Sequence, residues 1–396
     1  MGLRDFFRVF ILLIFIGLLG CEDDPASIGK DLLPDDDFIQ IKEINSLDSN
    51  FVQSSKSFLD STYLGSAQRL FIGKKGNTES SILLRFNIDL PDTIKAQVAA
   101  DSINILSTRI YAKIDYLLGG TESDINFTVH EISSIWTPLG FNKDSLPALQ
   151  YSAIDLSSSF EKTDSSISFV FDKGIVNNWL KLSSDSKADD VEGIYLKPTP
   201  ATDGFMSFAG LSNIAEIGEY LTLEVIYEKL NSYTDTLNLI PTADLHVIVA
   251  DEPDPNSEHL VVQGGVSIKS TLIFNLDDLP KTAIINRAIL ELTLDENASL
   301  YNDIDTTSMF IQLLSDSSSY KVRTDYSLVA LSKATNNKYK AELNRYVQAW
   351  MNLIDNQGMI FWMNGEQNSL SKFAFIGSKA ADPTLRPKLT ITYTDK

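Results

Sequence analysis

Residues 82–91 read ILLRFNIDLP, and residues 271–280 read TLIFNLDDLP. Each stretch is an apolar run that passes through Phe-Asn and ends in an acidic turn closed by Leu-Pro. A further apolar stretch follows each copy, at residues 107–114 and 288–294. The latter, AILELTL, alternates as a half-buried β-strand does. The sequence therefore contains a weak internal repeat, which predicts two copies of one strand-rich module.

A second pair of matching segments lies further along each copy. The run IVNNWL at residues 175–180 matches YVQAWM at residues 346–351, with the same spacing of apolar positions. In the second copy the apolar residues recur at intervals of three, four, seven and eight, as on one face of a helix. The pattern predicts a short amphipathic helix that covers one end of a β core and buries Trp179 and Trp350.

Short strands therefore account for most of the chain. Two apolar segments close the first copy, at residues 205–208 and 221–227, and two close the second, at 373–375 and 389–393. We predict an all-β protein of two tandem antiparallel β-sandwich domains, jelly-roll-like and each with a short helix.

The predicted domain boundaries follow from composition. The stretch at residues 229–242 is polar and contains Pro241, which indicates a linker. The predicted domains are residues 39–228 and residues 243–396.

The repeat resembles the DNRLRE-type β-sandwich modules of bacterial exported proteins. The resemblance rests on the Leu-Arg-Phe strand with its Leu-Pro turn, on the Val-x-x-Trp helix, and on RPKLTITY at residues 386–393. The first copy lacks the Arg-Pro pair before its last strand. Such modules often accompany polysaccharide-degrading enzymes and some bind polysaccharide, so the resemblance implies a sandwich fold and a polysaccharide ligand.

The N-terminus carries an export signal. Arg4 and Arg8 precede an apolar run of about eleven residues, which suits a signal peptide and is too short for a membrane span of roughly 20. Residues 18–21 read LLGC and resemble the lipobox of bacterial lipoproteins. The resemblance implies removal of residues 1–20 and lipidation of Cys21, which would anchor the protein to a membrane.

Cys21 is the only cysteine, so the chain forms no intramolecular disulfide. Residues 21–38 are acidic and lack apolar periodicity, which predicts a flexible tether. The acidic stretch is similar to signals that send lipoproteins to the cell surface in some Gram-negative lineages. A plain solvated spacer and retention at the inner membrane remain alternatives. We predict a surface-exposed outer-membrane protein.

The charge and the motifs exclude several functions. A formal net charge of −20 opposes nucleic acid as a partner. The three histidines, His130, His246 and His259, form no HExxH motif, and no G-x-S-x-G elbow occurs. We predict that the protein is not an enzyme and has no cofactor, with Ca²⁺ as the one candidate.

The calcium candidate is an acidic cluster formed by Asp251, Glu252, Asp254 and Glu258. Carboxylate oxygens are the ligands that Ca²⁺ prefers. The cluster lacks the spacing and the glycine of an EF-hand loop, and a solvated acidic turn is the alternative interpretation.

Aromatic residues near turns are the candidates for sugar contacts, since sugars stack on exposed ring faces. Trp362 lies near a strand end, and Tyr116, Phe141, Tyr301 and Tyr326 lie in loop-like stretches. The predicted ligand residues are Trp362, Tyr326, Tyr301 and Tyr116, with core packing as the alternative for each. The sequence thus predicts a membrane-anchored, non-catalytic surface lipoprotein that binds polysaccharide. The alternative is a structural or protein-binding envelope component, and an enzyme ranks third.

Overall fold

The structure is a computed structural model that describes residues 40–48, 51–86, 88–184, 191–213, 221–230, 232–305 and 309–395. The predicted signal peptide, Cys21 and the whole of the predicted tether lie outside the described residues. No helix within the described ranges is long and apolar enough to cross a membrane.

The chain is mostly β: strands account for 47% and helices for 14%, which confirms the predicted fold class at that level. The strands, in chain order, are β1 (Gln40–Asn45), β2 (Gln53–Leu59), β3 (Arg69–Lys75), β4 (Thr78–Phe86), β5 (Ile103–Lys113), β6 (Tyr116–Leu118), β7 (Phe127–Glu131), β8 (Ser157–Lys162), β9 (Ser166–Phe171), β10 (Ile194–Pro198), β11 (Gly204–Ala209), β12 (Thr222–Lys229), β13 (Tyr233–Leu239), β14 (Pro241–Val249), β15 (His259–Gln263), β16 (Ile268–Phe274), β17 (Ile284–Thr293), β18 (Met309–Asp316), β19 (Lys321–Val322), β20 (Val329–Ala330), β21 (Ser332–Lys333), β22 (Lys338–Glu342), β23 (Met359–Met363), β24 (Lys372–Ile376) and β25 (Lys388–Asp395).

Helices are few and short. The α-helices are α1 (Asp92–Ala99), α2 (Lys173–Ser184) and α3 (Asn344–Asn352). Single 3₁₀ turns occur at Glu122–Asp124, Leu146–Ala148, Leu211–Asn213, Asp303–Asp305, Glu366–Asn368 and Pro383–Leu385.

Strands β3 to β14 form two antiparallel sheets around one core, and we call them the first strand set. One sheet has the order β6-β11-β3-β4-β10-β7 with β14 on β4, and the other has the order β13-β12-β5-β9-β8. Residues from both sheets share the core, for example Ile72, Leu84, Ile110 and Phe169. Trp179 of α2 is buried in this core, as the helical spacing predicts.

Strands β1, β2 and β15 to β25 form the second strand set, again around one core. One sheet has the order β1-β25-β17-β22-β21, and the other has the order β19-β18-β23-β16-β15-β24 with β2 on β16 and β20 on β18. Leu272, Leu290 and Ile391 lie in this core, and α3 contributes Trp350, which is also buried as predicted.

The two strand sets repeat the same pairing. Leu84 of β4 lies opposite Ile194 of β10, as Leu272 of β16 lies opposite Met359 of β23. A β-bulge falls at the same step of the pairing between β5 and β12 and of that between β17 and β25. These registers assign paired strand residues of one set an equivalent position in the other.

Strand pairing does not follow the predicted domain boundaries. Strand β1 pairs with β25 and β2 pairs with β16, so both strands belong to the second strand set. Residues 229–242 are not a linker here, because β13 pairs with β12 and β14 pairs with β4. Their polar composition suggested a linker, but their backbone completes the first strand set. The first strand set therefore lies between two chain segments of the second.

Candidate functional site

The four aromatic residues predicted to contact a ligand lie in different places. Tyr116 is buried where the strand sets meet, and its hydroxyl donates a hydrogen bond to Asp305 Oδ2 at 2.7 Å. Trp362 is half-buried beside Phe310, with ring centroids 5.8 Å apart. Nothing in these contacts distinguishes Tyr116 or Trp362 from a packing residue.

Tyr301 and Tyr326 are also half-buried. Tyr301 stacks on Phe373 at 5.0 Å between ring centroids, and Tyr326 packs edge-on against Tyr346 at 6.4 Å. The four predicted residues are therefore not brought together in one site.

The predicted calcium ligands are likewise not assembled. Asp251 Oδ2 accepts a hydrogen bond from Asn77 Nδ2 at 2.6 Å, and Asp254 Oδ1 accepts one from the backbone N–H of Asn256 at 2.8 Å. Within the described ranges, no group of three or more His, Cys, Asp or Glu residues could hold a metal ion. Asp251, Glu252 and Asp254 instead line a cleft at the chain's return to the second strand set.

Polar contacts hold the two strand sets together. Asp305 accepts hydrogen bonds from Tyr116, from Ser369 Oγ at 2.8 Å and from Ser371 Oγ at 2.6 Å. Arg69 of β3 forms an ion pair with Asp115 at 3.0 Å and donates to the carbonyl of Asn368 at 3.2 Å. Of these contacts, the hydrogen bonds Tyr116–Asp305 and Arg69–Asn368 cross between the two strand sets.

Apolar packing closes the same junction. Phe71 and Phe205 of the first strand set pack with Leu370 of the second, and all are buried. The two strand sets are therefore joined by a buried core as well as by hydrogen bonds.

A pocket of about 500 Å³ lies at this junction, and we call it the junction pocket. Its walls come from the segment that crosses from β2 to β3, from residues 140–144, from the end of β14 and from the turn between β15 and β16. Tyr63 and Phe141 contribute aromatic rings. The polar residues in the wall are Asp60, Ser61, Thr62, Asn142, Lys143, Asp144 and His246.

The position of Phe141 follows from local packing. The chain between β7 and β8 leaves the sheet, and its Trp136 is buried against residues of β4, β10 and β14. Phe141 packs edge-on against Trp136 at 6.4 Å. Asn142 Oδ1 accepts a hydrogen bond from the backbone N–H of Asp144 at 2.9 Å and so closes a turn. Phe141 is thus held at the pocket rim.

An ionic network lies at the Asp60 end of the pocket. Lys269 Nζ lies 2.7 Å from Asp60 and 3.9 Å from Glu366. Burial raises the pKa of Asp60, but the hydrogen bond from Lys269 and that from the Ser61 backbone outweigh it, so the pKa lies below its usual value. Burial raises the pKa of Glu366, against the opposing charge of Lys269. Asp60 therefore lines the pocket as an ionised group.

Sequence patterns indicated only part of this pocket. Phe141 was recognisable as a loop aromatic, whereas Tyr63 and Asp60 gave no signal. They lie in the segment that crosses between strand sets, and the crossing becomes visible only when β2 is seen to pair with β16. A composition shift or a motif could not have located it.

Comparisons with known proteins give little. No family model matches the chain, and no curated protein matches it. Among solved structures it is similar to the C-terminal domain of the AgI/II polypeptide BspA of Streptococcus agalactiae, with 7% identity and a TM-score of 0.21, over 86% of this chain and 90% of that chain. A second structure, titled BspA_C_WT, has 7% identity, a TM-score of 0.18 and the same coverage. Scores this low carry no argument about function.

Proposed function

We propose that this protein is a membrane-anchored, non-catalytic surface lipoprotein that binds a polysaccharide in the junction pocket. The observation that carries the proposal is the composition of the pocket wall. Tyr63 and Phe141 offer ring faces for a sugar, while Asp60, Thr62 and Asn142 offer groups that hydrogen-bond hydroxyls.

The anchor in this proposal is a lipid on Cys21, after removal of residues 1–20. The lipobox LLGC at residues 18–21 supports it. The first described strand begins at Gln40, so residues 21–39 would separate the lipid from the fold.

We also propose that each strand set is a β-sandwich domain with jelly-roll-like wiring and a short helix. One domain would comprise residues 69–249, and the other residues 40–59 together with 259–395. Two separate cores, each shared by two antiparallel sheets, support this division.

The ligand proposal is tested with the soluble chain from residue 22. Binding to a glycan array and to a panel of polysaccharides is expected, and Tyr63→Ala and Phe141→Ala are each expected to weaken it about tenfold. Tyr326→Ala is the matched control, since Tyr326 is an aromatic candidate outside the pocket. Failure to bind any polysaccharide would contradict the proposal. Loss of binding in Tyr326→Ala alone would move the site away from the junction.

The anchor is tested in cells. Wild-type protein is expected to incorporate labelled palmitate and to be cut by protease added to intact cells. Cys21→Ser is expected to incorporate none. A soluble, unlabelled wild-type protein would contradict the lipid anchor, and protection from protease would place the protein inside the envelope.

A protein-binding or structural role is the second candidate, and one observation favours it. Ile135, Leu139 and Ile154 lie between β7 and β8 and are 89%, 76% and 69% exposed. Exposed apolar side chains of this kind mark contact surfaces when they cluster. Cross-linking of envelope proteins to wild-type protein but not to a triple Ser variant at these positions would favour this role.

A further inference from the structure

The junction pocket contains a histidine whose polar atoms the fold leaves unused. His246 of β14 is in the pocket lining and is 0% exposed. Neither Nδ1 nor Nε2 has a hydrogen-bond partner among the described residues. The ring lies edge-on to Phe71, with centroids 5.5 Å apart. A buried polar group without a partner is unfavourable, so this imidazole destabilises the fold.

The second strand set shows that the strand pairing does not require an imidazole here. His246 lies opposite Ile82, and the equivalent residue of β2, Ser57, lies opposite Ser270. Ser57 Oγ is 2.9 Å from Ser270 Oγ and accepts a hydrogen bond from the Val261 N–H at 2.8 Å. The equivalent position is therefore filled by a residue whose polar atom is satisfied.

The chemistry of the buried ring limits what it can bind. Burial lowers the pKa of His246 to about 3, so the ring is neutral at physiological pH. A neutral imidazole has one N–H donor and one nitrogen acceptor, and a hydroxyl group can pair with either. A charged ligand group at the ring would lose its hydration, and the neutral imidazole would not offer it an opposite charge.

We propose that His246 hydrogen-bonds the hydroxyls of an uncharged sugar residue that enters the junction pocket. This inference rests on the proposed function and adds the ligand class, a neutral polysaccharide rather than one rich in uronic acids. Tyr63 and Phe141 line the same pocket and would contact the faces of the sugar.

Access to the ring requires the rim to move, because the ring has no exposed surface. Tyr63 is 48% exposed, so its side chain can turn outward. Gly140 has φ +82° and nothing lies within 4 Å of the place a Cβ would occupy, so the rim next to Phe141 also has free space. The ligand therefore reaches His246 by displacing these rim groups.

The test measures binding and stability in the same variants of the chain from residue 22. The probes are four neutral polysaccharides (laminarin, xylan, galactomannan and starch) and two acidic ones (alginate and polygalacturonate), each measured by calorimetry. Wild-type protein is expected to bind at least one neutral probe more tightly than either acidic probe. His246→Leu is expected to bind about tenfold more weakly and to melt about 2–4 °C higher. His246→Gln keeps a donor and an acceptor and is expected to retain part of the affinity.

The outcomes distinguish the role of His246 from the proposed function itself. Equal affinity of wild type and His246→Leu would overturn the role of His246 and leave the proposed function standing. Tighter binding to alginate or polygalacturonate would overturn the ligand class. A lower melting temperature or failure to fold in His246→Leu would assign the ring to the fold and would also overturn the inference. No binding of wild type to any probe would contradict the proposed function itself.

Discussion

The two strand sets share a backbone plan but satisfy equivalent polar groups differently. In the first set, Trp179 Nε1 donates a hydrogen bond to Glu131 Oε1 at 2.8 Å. In the second set, Trp350 occupies the equivalent place in α3, and its Nε1 has no partner among the described residues. The residue equivalent to Glu131 is Leu313, because both lie opposite the equivalent residues of β10 and β23. Both sets thus have the helix tryptophan, whereas the acceptor for its Nε1, Glu131, is present only in the first set.

A second pair of equivalent positions joins the first residue of a strand to an aspartate. Arg69 pairs with Asp115 at 3.0 Å in the first set, and His259 pairs with Asp295 at 2.9 Å in the second. The ion pair of the first set is also tied into the junction through Asn368. Both strand sets therefore make the same contact. In the first set the basic residue, Arg69, also bonds across the junction.

A third pair differs in charge. Asp244 Oδ2 accepts the Leu211 N–H at 2.6 Å, and the equivalent Ser55 Oγ accepts the Ser378 N–H at 2.9 Å. Burial raises the pKa of Asp244 to about 6, against the hydrogen bond from Leu211. The same backbone group is satisfied by a carboxylate in one set and by a neutral hydroxyl in the other, so only the first set acquires a pH dependence here.

The largest effect is expected on removal of β1 and β2, which complete the second strand set. A chain that starts at residue 60 lacks β1 and β2, which pair with β25 and β16. We expect the second strand set to lose its cooperative fold, while residues 69–249 keep theirs. Hydrogen exchange followed by mass spectrometry measures both sets in one sample. Unchanged protection in β16 and β25 would contradict this expectation, since it would show that the second strand set folds without β1 and β2.

The next effect is the pH dependence from Asp244. Because its pKa is raised in the folded state, its stabilising contribution is full below pH about 4 and is lost as the pH rises through about 6. Asp244→Ser installs the residue of the second set. We expect the free energy of unfolding of the variant, relative to wild type, to increase by about 2–3 kcal/mol from pH 4 to pH 8. Denaturation curves at both pH values measure it, and a pH-independent difference would contradict this account. Ser55→Ala is the control, because it removes the equivalent hydrogen bond to a backbone N–H without removing a charge.

A smaller effect is expected at the helix tryptophans. Glu131→Leu copies the second set and leaves Trp179 Nε1 without its acceptor. We expect a loss of about 1–3 kcal/mol in unfolding free energy. Trp350→Phe removes an N–H that has no partner and is expected to cost less than Trp179→Phe. Equal costs for the two Phe variants would show that the Glu131 hydrogen bond contributes nothing.

The smallest effect is expected at the His259–Asp295 pair, whose side chains are partly exposed. His259→Ala is expected to cost up to about 1 kcal/mol near neutral pH. The hydrogen bond from His259 holds the pKa of Asp295 below its usual value, so the contribution of Asp295 is present above pH about 4 and is lost as the pH falls further. Thermal melts of wild type and His259→Ala at pH 3 and pH 7 measure it. A larger difference between the two proteins at pH 3 would contradict the assignment.

Local patterns in the sequence predicted the parts of the fold that depend on local order. Residues 288–293 of the alternating run lie in β17, and the helical spacing around Trp350 predicted α3. The repeated Leu-Pro turn correctly indicated equivalent places in the two strand sets. Each of these features depends on residues within one or two turns of each other.

Long-range pairing could not be predicted in the same way. The buried positions of β2 are the polar residues Ser55 and Ser57, so the strand carries no mark of a partner more than 200 residues away, yet β2 pairs with β16. Residues 229–242 looked like a linker because Asn, Ser, Thr and Asp are typical of turns. The junction pocket depends on these pairings, so Tyr63 and Asp60 could not be identified as site residues before the strand order was known.

In the proposed complex, the polysaccharide binds where the strand sets meet rather than on either set alone. Hydrogen exchange with and without the tightest-binding polysaccharide tests this location. We expect new protection at residues 59–64, 140–144 and 246–250 together, with none around Tyr301, Tyr326 and Trp362. Protection confined to the surroundings of those three aromatic residues, or no protection under saturating polysaccharide, would contradict it.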